Sequence, residues 1–251
     1  MKALITGASS GLGREMAFAL AERGCELVLC ARREERLREL AAELPTVCHV
    51  IAADVSDEEE CRLLYSAVRG DDLEIVINNA GFGLFGEFLE TDLDEELRMI
   101  DTNIRAVHIL TKLAVQDFAK RGHGYILNVA SSAGFLPGPL MATYYATKNY
   151  VLRLTQALRE ELRHRNSAVK VCALCPGPVD TEFNKVAGVR FALNGLDAKR
   201  VAREAVDGMF AWKTVIVPGL AMKATAVARH FAPDSLLARI TYHFQHKKGV
   251  K

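Results

Sequence analysis

Lys2-Ala3-Leu4-Ile5-Thr6-Gly7-Ala8-Ser9-Ser10-Gly11-Leu12-Gly13 stands almost at the start of the chain, and its reading decides the fold. The apolar run Lys2–Thr6 has the length and composition of a buried strand, and Leu12–Arg23 has the spacing of a helix. Between them lie glycines in the order G-x-x-x-G-x-G. Glycine permits the tight turn and lets backbone N–H groups come close to an anion at the helix N-terminus, where the peptide dipoles favour negative charge. The spacing alone is also that of a plain connector. A strand before it and a helix after it, in the first βαβ unit, make it a candidate phosphate-binding turn. Gly7, Ser9, Ser10, Gly11, Leu12 and Gly13 are therefore candidate ligand-binding residues.

The alternation continues down the chain. Glu26–Cys30, Val47–Ala52, Glu74–Asn78, Tyr125–Val129, Val169–Leu174 and Thr214–Val217 read as further strands. Glu34–Leu44, a segment starting near Ser56, Asp94–Lys120, Thr143–His164 and Ala198–Ala211 read as helices. Near Ser56 the run Ser-Asp-Glu-Glu supplies a cap and an acidic first turn. Repeated βα units predict an α/β fold: a single-domain, doubly wound parallel sheet with helices on both faces. In such sheets ligands bind at the carboxyl ends of the strands, where every motif below falls. The catalytic domain is expected to span 1–217. Residues 218–251 read as a C-terminal helical extension packed on the same domain, with helices Leu220–Phe231 and Ser235–His246 parted by Pro233.

Composition agrees with one globular domain. The chain has 251 residues, half of them apolar and a quarter charged, with 32 basic against 31 acidic side chains. A net charge of +1 gives no electrostatic reason to expect a nucleic-acid partner. No run is apolar for long enough to span a membrane, and Met1-Lys2 leads directly into the first strand without a cleavable leader. A cytoplasmic protein with reduced cysteines is the expectation. Cys172-Ala-Leu-Cys175 resembles a redox pair, but residues three apart on a strand point to opposite faces.

The end of the second strand tests the phosphate turn. Folds that bind NAD usually place an acidic residue there to hold the ribose 2′-hydroxyl. Here the strand ends Leu29-Cys30-Ala31-Arg32-Arg33. A carboxylate would repel a 2′-phosphate, whereas a guanidinium pairs with it. NADP(H) is the preferred cofactor on this reading, with NAD(H) the alternative, and Arg32 and Arg33 are candidate contacts. Asp54 and Val55 are placed to meet the adenine, and Asn79, Ala80 and Gly81 the ribose.

Tyr144 and Lys148 are four apart on one helix face. A phenol is a poor base at neutral pH, and a neighbouring ammonium is expected to lower its pKa so that the pair can move a proton to or from a carbonyl oxygen. The spacing is common by chance, so its company matters. Ser131 follows the fifth strand in Asn128-Val129-Ala130-Ser131-Ser132-Ala133-Gly134, Asn103 sits in the long helix, and Pro176-Gly177-Pro178-Val179-Asp180-Thr181 follows the sixth strand.

With TGASSGLG, DV, NNAG, the Asn103 region, NVASSAG, YYATK and PGPVDT in this order, the chain resembles the short-chain dehydrogenase/reductase family from Lys2 to about Phe183. The resemblance implies a Rossmann fold and an NADP-dependent oxidoreductase acting on CH–OH groups. It also implies the catalytic set Asn103, Ser131, Tyr144 and Lys148. In that set Tyr144 is the proton donor in reduction, and Lys148 lowers its pKa and holds the nicotinamide ribose. Ser131 stabilises the substrate oxygen, and Asn103 holds a water that links Lys148 to solvent. Pro176, Gly177, Val179 and Thr181 surround the nicotinamide. Two departures stand out. Ala106 replaces a glycine common three residues after the helix asparagine. Ser10 is neutral where many relatives carry a basic residue, so the NADP preference rests mainly on Arg32.

The loops near this set are apolar: Phe82 and Phe85; Phe135, Leu136, Pro137, Pro139, Leu140 and Met141; Phe183, Val186, Val189, Phe191 and Leu193. They suggest a hydrophobic ketone or secondary alcohol, such as a steroid, a bile acid, a β-ketoacyl chain or a xenobiotic carbonyl. The basic extension carries Lys223, Arg229, His230, Arg239, His243, His246, Lys247, Lys248 and Lys251. It either covers the fold or rests on a membrane surface. His243 and His246 lack companions for a metal site, so no metal is expected. Resemblance implies a homodimer through Asp94–Lys120 and Thr143–His164, or a homotetramer. The alternative function is a non-catalytic NADP(H)-binding regulator or scaffold on the same fold. A sugar-nucleotide epimerase fits less well, given the short chain and the glycine spacing.

Overall fold

Seven parallel strands form one sheet in the order β3-β2-β1-β4-β5-β6-β7. The computed structural model describes residues 1–188, 195–228 and 231–246. In chain order the elements are β1 (Lys2–Thr6), α1 (Gly11–Ala21), β2 (Glu26–Ala31), α2 (Glu34–Glu43), β3 (Cys48–Ala52), α3 (Glu58–Val68) and β4 (Leu73–Asn78). There follow α4 (Leu93–Ile100), α5 (Val107–Arg121), β5 (Tyr125–Val129), α6 (Ala142–His164) and β6 (Lys170–Leu174). The last are α7 (Phe183–Val186), α8 (Ala198–Phe210), β7 (Val215–Ile216), α9 (Leu220–Ala228) and α10 (Asp234–His246). The strand order reverses between β1 and β4, which opens a crevice at their carboxyl ends.

Strand alternation divides the core between two faces. Ala3, Ile5, Leu27, Leu29, Ile75, Ile77 and Leu127 point one way, onto Met16 and Leu20 of α1 and Val201, Val206 and Met209 of α8. Leu4, Val28, Cys30, Val76, Ile126 and Val171 point the other way, onto Cys61 and Leu64 of α3, Leu110 and Phe118 of α5, and Leu162 of α6. A strand covered on both faces has no polar side, which is why these runs read as continuous apolar stretches. The arrangement is a Rossmann-like doubly wound sheet. Cys172 and Cys175 fall in different apolar clusters, and burial pushes the Cys172 thiol up to about 12, so the two do not form a redox pair.

Two expected elements differ in detail. The helix near Ser56 begins later. Asp57 is its cap and accepts from the Glu60 N–H at 2.9 Å, while the Ser56 hydroxyl turns back to Asp54 at 2.7 Å. The single helix expected over Asp94–Lys120 is interrupted by a π turn at Asp101–Ala106. That turn inserts an extra residue into the helix and carries Asn103 inward to a fully buried position. Among the described residues no helix is long and apolar enough to cross a membrane.

A buried polar chain fixes the layer above the sheet. Asn78 Nδ2 of β4 donates to Thr111 Oγ1 of α5 at 3.0 Å and to Asn128 Oδ1 of β5 at 2.8 Å. Asn128 Nδ2 donates in turn to Thr155 Oγ1 of α6 at 3.0 Å. Removing one member strands its buried partners, which costs more than a hydrogen bond's net worth. Asn128→Ala is expected to lower unfolding free energy by about 2–4 kcal/mol. Urea denaturation followed by far-UV circular dichroism checks this; an unchanged midpoint would show the chain to be dispensable.

Candidate active site

The carboxyl ends of the strands line one cavity of about 700 Å³. At one end lies the turn after β1. Gly7 and Gly11 have φ of +66° and +55°, in the left-handed region that side chains rarely enter. A Cβ on Gly7 would lie 2.8 Å from Ala80 Cα, and one on Gly13 only 2.4 Å from Gly7 O. Gly7, Ser9, Ser10, Gly11 and Leu12 line the cavity, whereas Gly13 is a packing position beneath the turn. Asn79 ties the turn down, donating through Nδ2 to Thr6 O and Gly7 O at 3.0 and 3.1 Å. Thr6 Oγ1 accepts from the N–H groups of Asn79 and Ala80, both at 3.1 Å.

Arg32, Arg33, Asp54, Val55, Asn79, Ala80 and Gly81 line the next stretch. The two arginines separate here. Arg32 extends toward Asp54 at 3.7 Å, and its side chain is 63% exposed. Arg33 folds over the glycine turn instead, its Nη2 donating to Ser9 Oγ at 3.1 Å and Ser10 Oγ at 3.0 Å. The charge beside the turn thus comes from Arg33, not from the Arg32 that the sequence reading weighted most.

At the far end α6 presents Tyr144 and Lys148, 8% and 4% exposed. Lys148 Nζ donates to Val129 O at 2.9 Å and lies 5.9 Å from the Tyr144 ring centroid. Burial lowers its pKa to about 8. Burial also raises the Tyr144 phenol well above its usual range, with the hydrogen-bonded Ser131 hydroxyl pulling it part of the way back. The direction is opposite to the sequence expectation. Lys148 turns toward the strand carbonyl and is not among the groups that stabilise the phenolate. Ser131 also accepts from the Ala133 N–H at 3.1 Å, which fixes its rotamer.

Asn103 does not line the cavity. Its Oδ1 accepts from the Phe82 N–H at 3.1 Å, and its Nδ2 donates to Phe82 O and Thr147 Oγ1 at 2.9 and 3.1 Å. These bonds hold the loop after β4 against α6. Gly81 sits between, because a Cβ there would lie 2.9 Å from Asn103 Oδ1 and 3.3 Å from Lys148 Nζ.

Pro176, Gly177, Val179 and Thr181 complete the wall. Of the apolar loop residues, Phe82, Leu136, Met141 and Phe183 line the cavity. Phe135 instead packs in the core with Val107 and Val151, and Phe85 packs behind the cavity with Met99 and Tyr144. Pro137, Pro139 and Leu140 are not among the lining residues. Val189, Phe191 and Leu193 lie outside the described residues, as does the side chain of Val186.

The extension contributes what spacing did not reveal. Met222 and Thr225 of α9 and Ile240, Thr241, Phe244 and Gln245 of α10 line the same cavity. Gln245, 1% exposed, donates through Nε2 to Tyr145 Oη at 2.6 Å. Tyr145 stands edge-on to Tyr144 with ring centroids 6.1 Å apart. The last helix is thereby pinned beside Tyr144.

The residues of a cavity with a glycine turn at one end and a buried Ser-Tyr-Lys group at the other fit a nicotinamide dinucleotide. A family model described as short chain dehydrogenase matches residues 1–189. The chain belongs to the short-chain dehydrogenase family. It is an oxidoreductase of that family and resembles several solved members. A short-chain dehydrogenase from Sphingobium yanoikuyae in complex with NADPH superposes with a TM-score of 0.83 at 32% identity, covering 92% of this chain and 94% of that one. A bulky-bulky ketone specific alcohol dehydrogenase from Comamonas testosteroni gives 0.79 at 31% identity, covering 92% of each chain. A member from Burkholderia phymatum in complex with NAD gives 0.84 at 26% identity, again covering 92% of each. The family thus includes both cofactors among close structural matches.

The buried lysine makes stability depend on pH. Its folded pKa, about 8, is below its ordinary value of 10.5, so the unfolded chain binds more protons between these values. The lysine is then destabilising below pH 8, and that burden fades as pH rises toward 10.5. Lys148→Met is expected to stabilise the cofactor-free protein at pH 7 by about 1–3 kcal/mol. The gain should vanish above pH 10.5. Denaturation midpoints of both proteins across this range test the sign.

Proposed function

We propose that this protein is an NADP(H)-dependent carbonyl reductase or alcohol dehydrogenase acting on a bulky hydrophobic ketone or secondary alcohol. The observation that carries the reading is the buried Tyr144–Ser131 pair, with Lys148 one helical turn on, at the apolar end of a cavity that begins at the glycine turn.

When bound, the nicotinamide supplies or takes up the hydride. Gly7, Ser9, Ser10, Gly11 and Leu12 would hold the diphosphate, Asp54 and Val55 would meet the adenine, and Arg33 with Arg32 would face a 2′-phosphate. Asn79, Ala80 and Gly81 would border the ribose, and Pro176, Gly177, Val179, Thr181 and Lys148 would hold the nicotinamide end. In reduction Tyr144 Oη gives its proton to the substrate carbonyl oxygen, and Ser131 Oγ–H stabilises the charge developing there. Burial keeps the phenol protonated, which is the form a donor needs. Asn103 is a positioning residue that fixes the β4 loop and α6 relative to each other.

Phe82, Leu136, Met141, Phe183, Met222, Ile240 and Phe244 give the substrate end its apolar character. The bulky-ketone preference named for the Comamonas relative supports the same substrate class. Since α9 and α10 supply part of this wall, 218–251 is read as an extension of the catalytic domain rather than a membrane anchor. A homodimer through α4–α5 and α6, working in the cytoplasm, completes the proposal.

The decisive experiment follows NADPH oxidation over a panel of bulky ketones and small polar sugars. Turnover is expected on the former and not the latter. Tyr144→Phe should lower kcat by about a thousandfold or more while NADPH affinity stays within about twofold. Wild-type protein that binds NADPH yet turns over no carbonyl would favour the regulator. Turnover confined to polyols or sugars would reject the hydrophobic substrate.

A further inference from the structure

Arg33 does not face the glycine turn alone. Its Nη1 and Nη2 both donate to Glu182 Oε2, at 3.1 and 3.2 Å, while Nη2 also reaches Ser9 and Ser10 and Nε approaches Ser9 Oγ at 3.4 Å. Arg36 Nη1 donates to the other carboxylate oxygen, Glu182 Oε1, at 2.7 Å. Two guanidinium groups therefore hold one carboxylate of the same chain, and the Ser9 and Ser10 hydroxyls accept from the same Arg33 fork. Arg36 and Arg33 hold that carboxyl below the usual carboxylate range, so it is anionic at neutral pH.

We propose that Glu182 is an internal occupant of the 2′-phosphate site and tunes selection between NADP(H) and NAD(H). The inference rests on the reading that Arg33 faces that phosphate. A carboxylate and a phosphate are alternative partners for one guanidinium fork. A cofactor with a 2′-hydroxyl leaves Glu182 on Arg33. A cofactor with a 2′-phosphate takes Arg33, Ser9 and Ser10, and leaves Glu182 to Arg36. NADP(H) binding thus breaks an existing ion pair and places a second anion nearby, whereas NAD(H) binding breaks none. Glu182 weakens NADP(H) selectively and narrows the preference that Arg33 creates.

The position of Glu182 extends the consequence along the cavity. Its neighbour Thr181 packs on the glycine turn, 3.3 Å from where a Gly11 Cβ would stand. Its other neighbour, Phe183, packs on Tyr144 with ring centroids 5.4 Å apart. Three consecutive residues therefore touch the phosphate turn, the arginine pair and the proton donor. Displacing the middle one reports the presence of a 2′-phosphate to the segment beside the reacting atoms.

Titration calorimetry with 2′,5′-ADP and 5′-AMP isolates the phosphate contact, and NADPH and NADH extend it to whole cofactors. Glu182 is half exposed, so Glu182→Gln is a surface change. The variant is expected to bind 2′,5′-ADP and NADPH about fivefold more tightly, with 5′-AMP and NADH within about twofold of wild type. Unchanged affinity for 2′,5′-ADP, weaker affinity, or an equal gain for all four ligands would overturn the proposal. Wild-type protein that prefers NADH to NADPH would defeat the cofactor reading instead. The response of 2′,5′-ADP to Glu182→Gln would still decide whether the carboxylate competes.

Discussion

The site depends on one buried amide. Asn103 bonds both backbone polar groups of Phe82 and the hydroxyl of Thr147. Phe82 belongs to the loop that follows β4, and Thr147 lies between Tyr144 and Lys148 on α6. A single side chain thereby sets the distance between the loop that lines the cavity and the helix that carries Tyr144 and Lys148. The π turn at Asp101–Ala106 is what allows it. A regular α-helix would rotate the amide away from one of its two partners, so the local irregularity is tolerated for the geometry it creates. The Asn78–Asn128 chain does similar work one layer down, tying β4 and β5 to α5 and α6.

The electrostatics of Tyr144 and Lys148 follow from burial rather than from ion pairing. Dehydration favours the neutral form of both Tyr144 and Lys148. The phenol thus holds its proton, and the amine is closer to losing its charge than an exposed lysine. Under the proposed role, the proton to be given in carbonyl reduction is already in place, whereas alcohol oxidation would require the phenol to lose its proton in a site that disfavours the anion. The two side chains would therefore meet different electrostatic demands in the two directions.

Most of the sheet was legible because its signals are local. Lys2–Thr6 and Tyr125–Val129 agree at both ends with β1 and β5, and the other strands differ by a residue or two. A buried parallel strand leaves an unbroken apolar run, and a glycine turn between strand and helix is contained in a dozen residues. Contacts made across the chain were not legible. Arg32 and Arg33 carry the same charge, and only the backbone leading into α2 decides which one folds over Ser9 and Ser10. Nothing near Glu182 announces that its partner lies 149 residues away. Phe135 and Phe183 are equally apolar in sequence, yet one fills the core and the other faces the cavity. The π turn was invisible for another reason: what it achieves shows only in the contacts of Asn103 with Phe82 and Thr147, not in the composition of the helix.

On the proposed reading, the extension adds selectivity without touching the chemistry. Gln245 reaches Tyr145 and not Tyr144, so α10 is anchored beside Tyr144 while leaving its oxygen free of that contact. From this anchor Ile240, Thr241 and Phe244 border the cavity, and Met222 and Thr225 join them from α9. Phe244 is 59% exposed even though it borders the cavity, which places it at the rim rather than at the base. A rim built from side chains that follow the last strand can change in size and polarity while the sheet, the glycine turn and the buried amides stay as they are. On the proposed reading, the chemistry belongs to the parts of the chain held by buried hydrogen bonds, and substrate choice to the helices that follow the last strand, anchored at Tyr145 by the Gln245 amide.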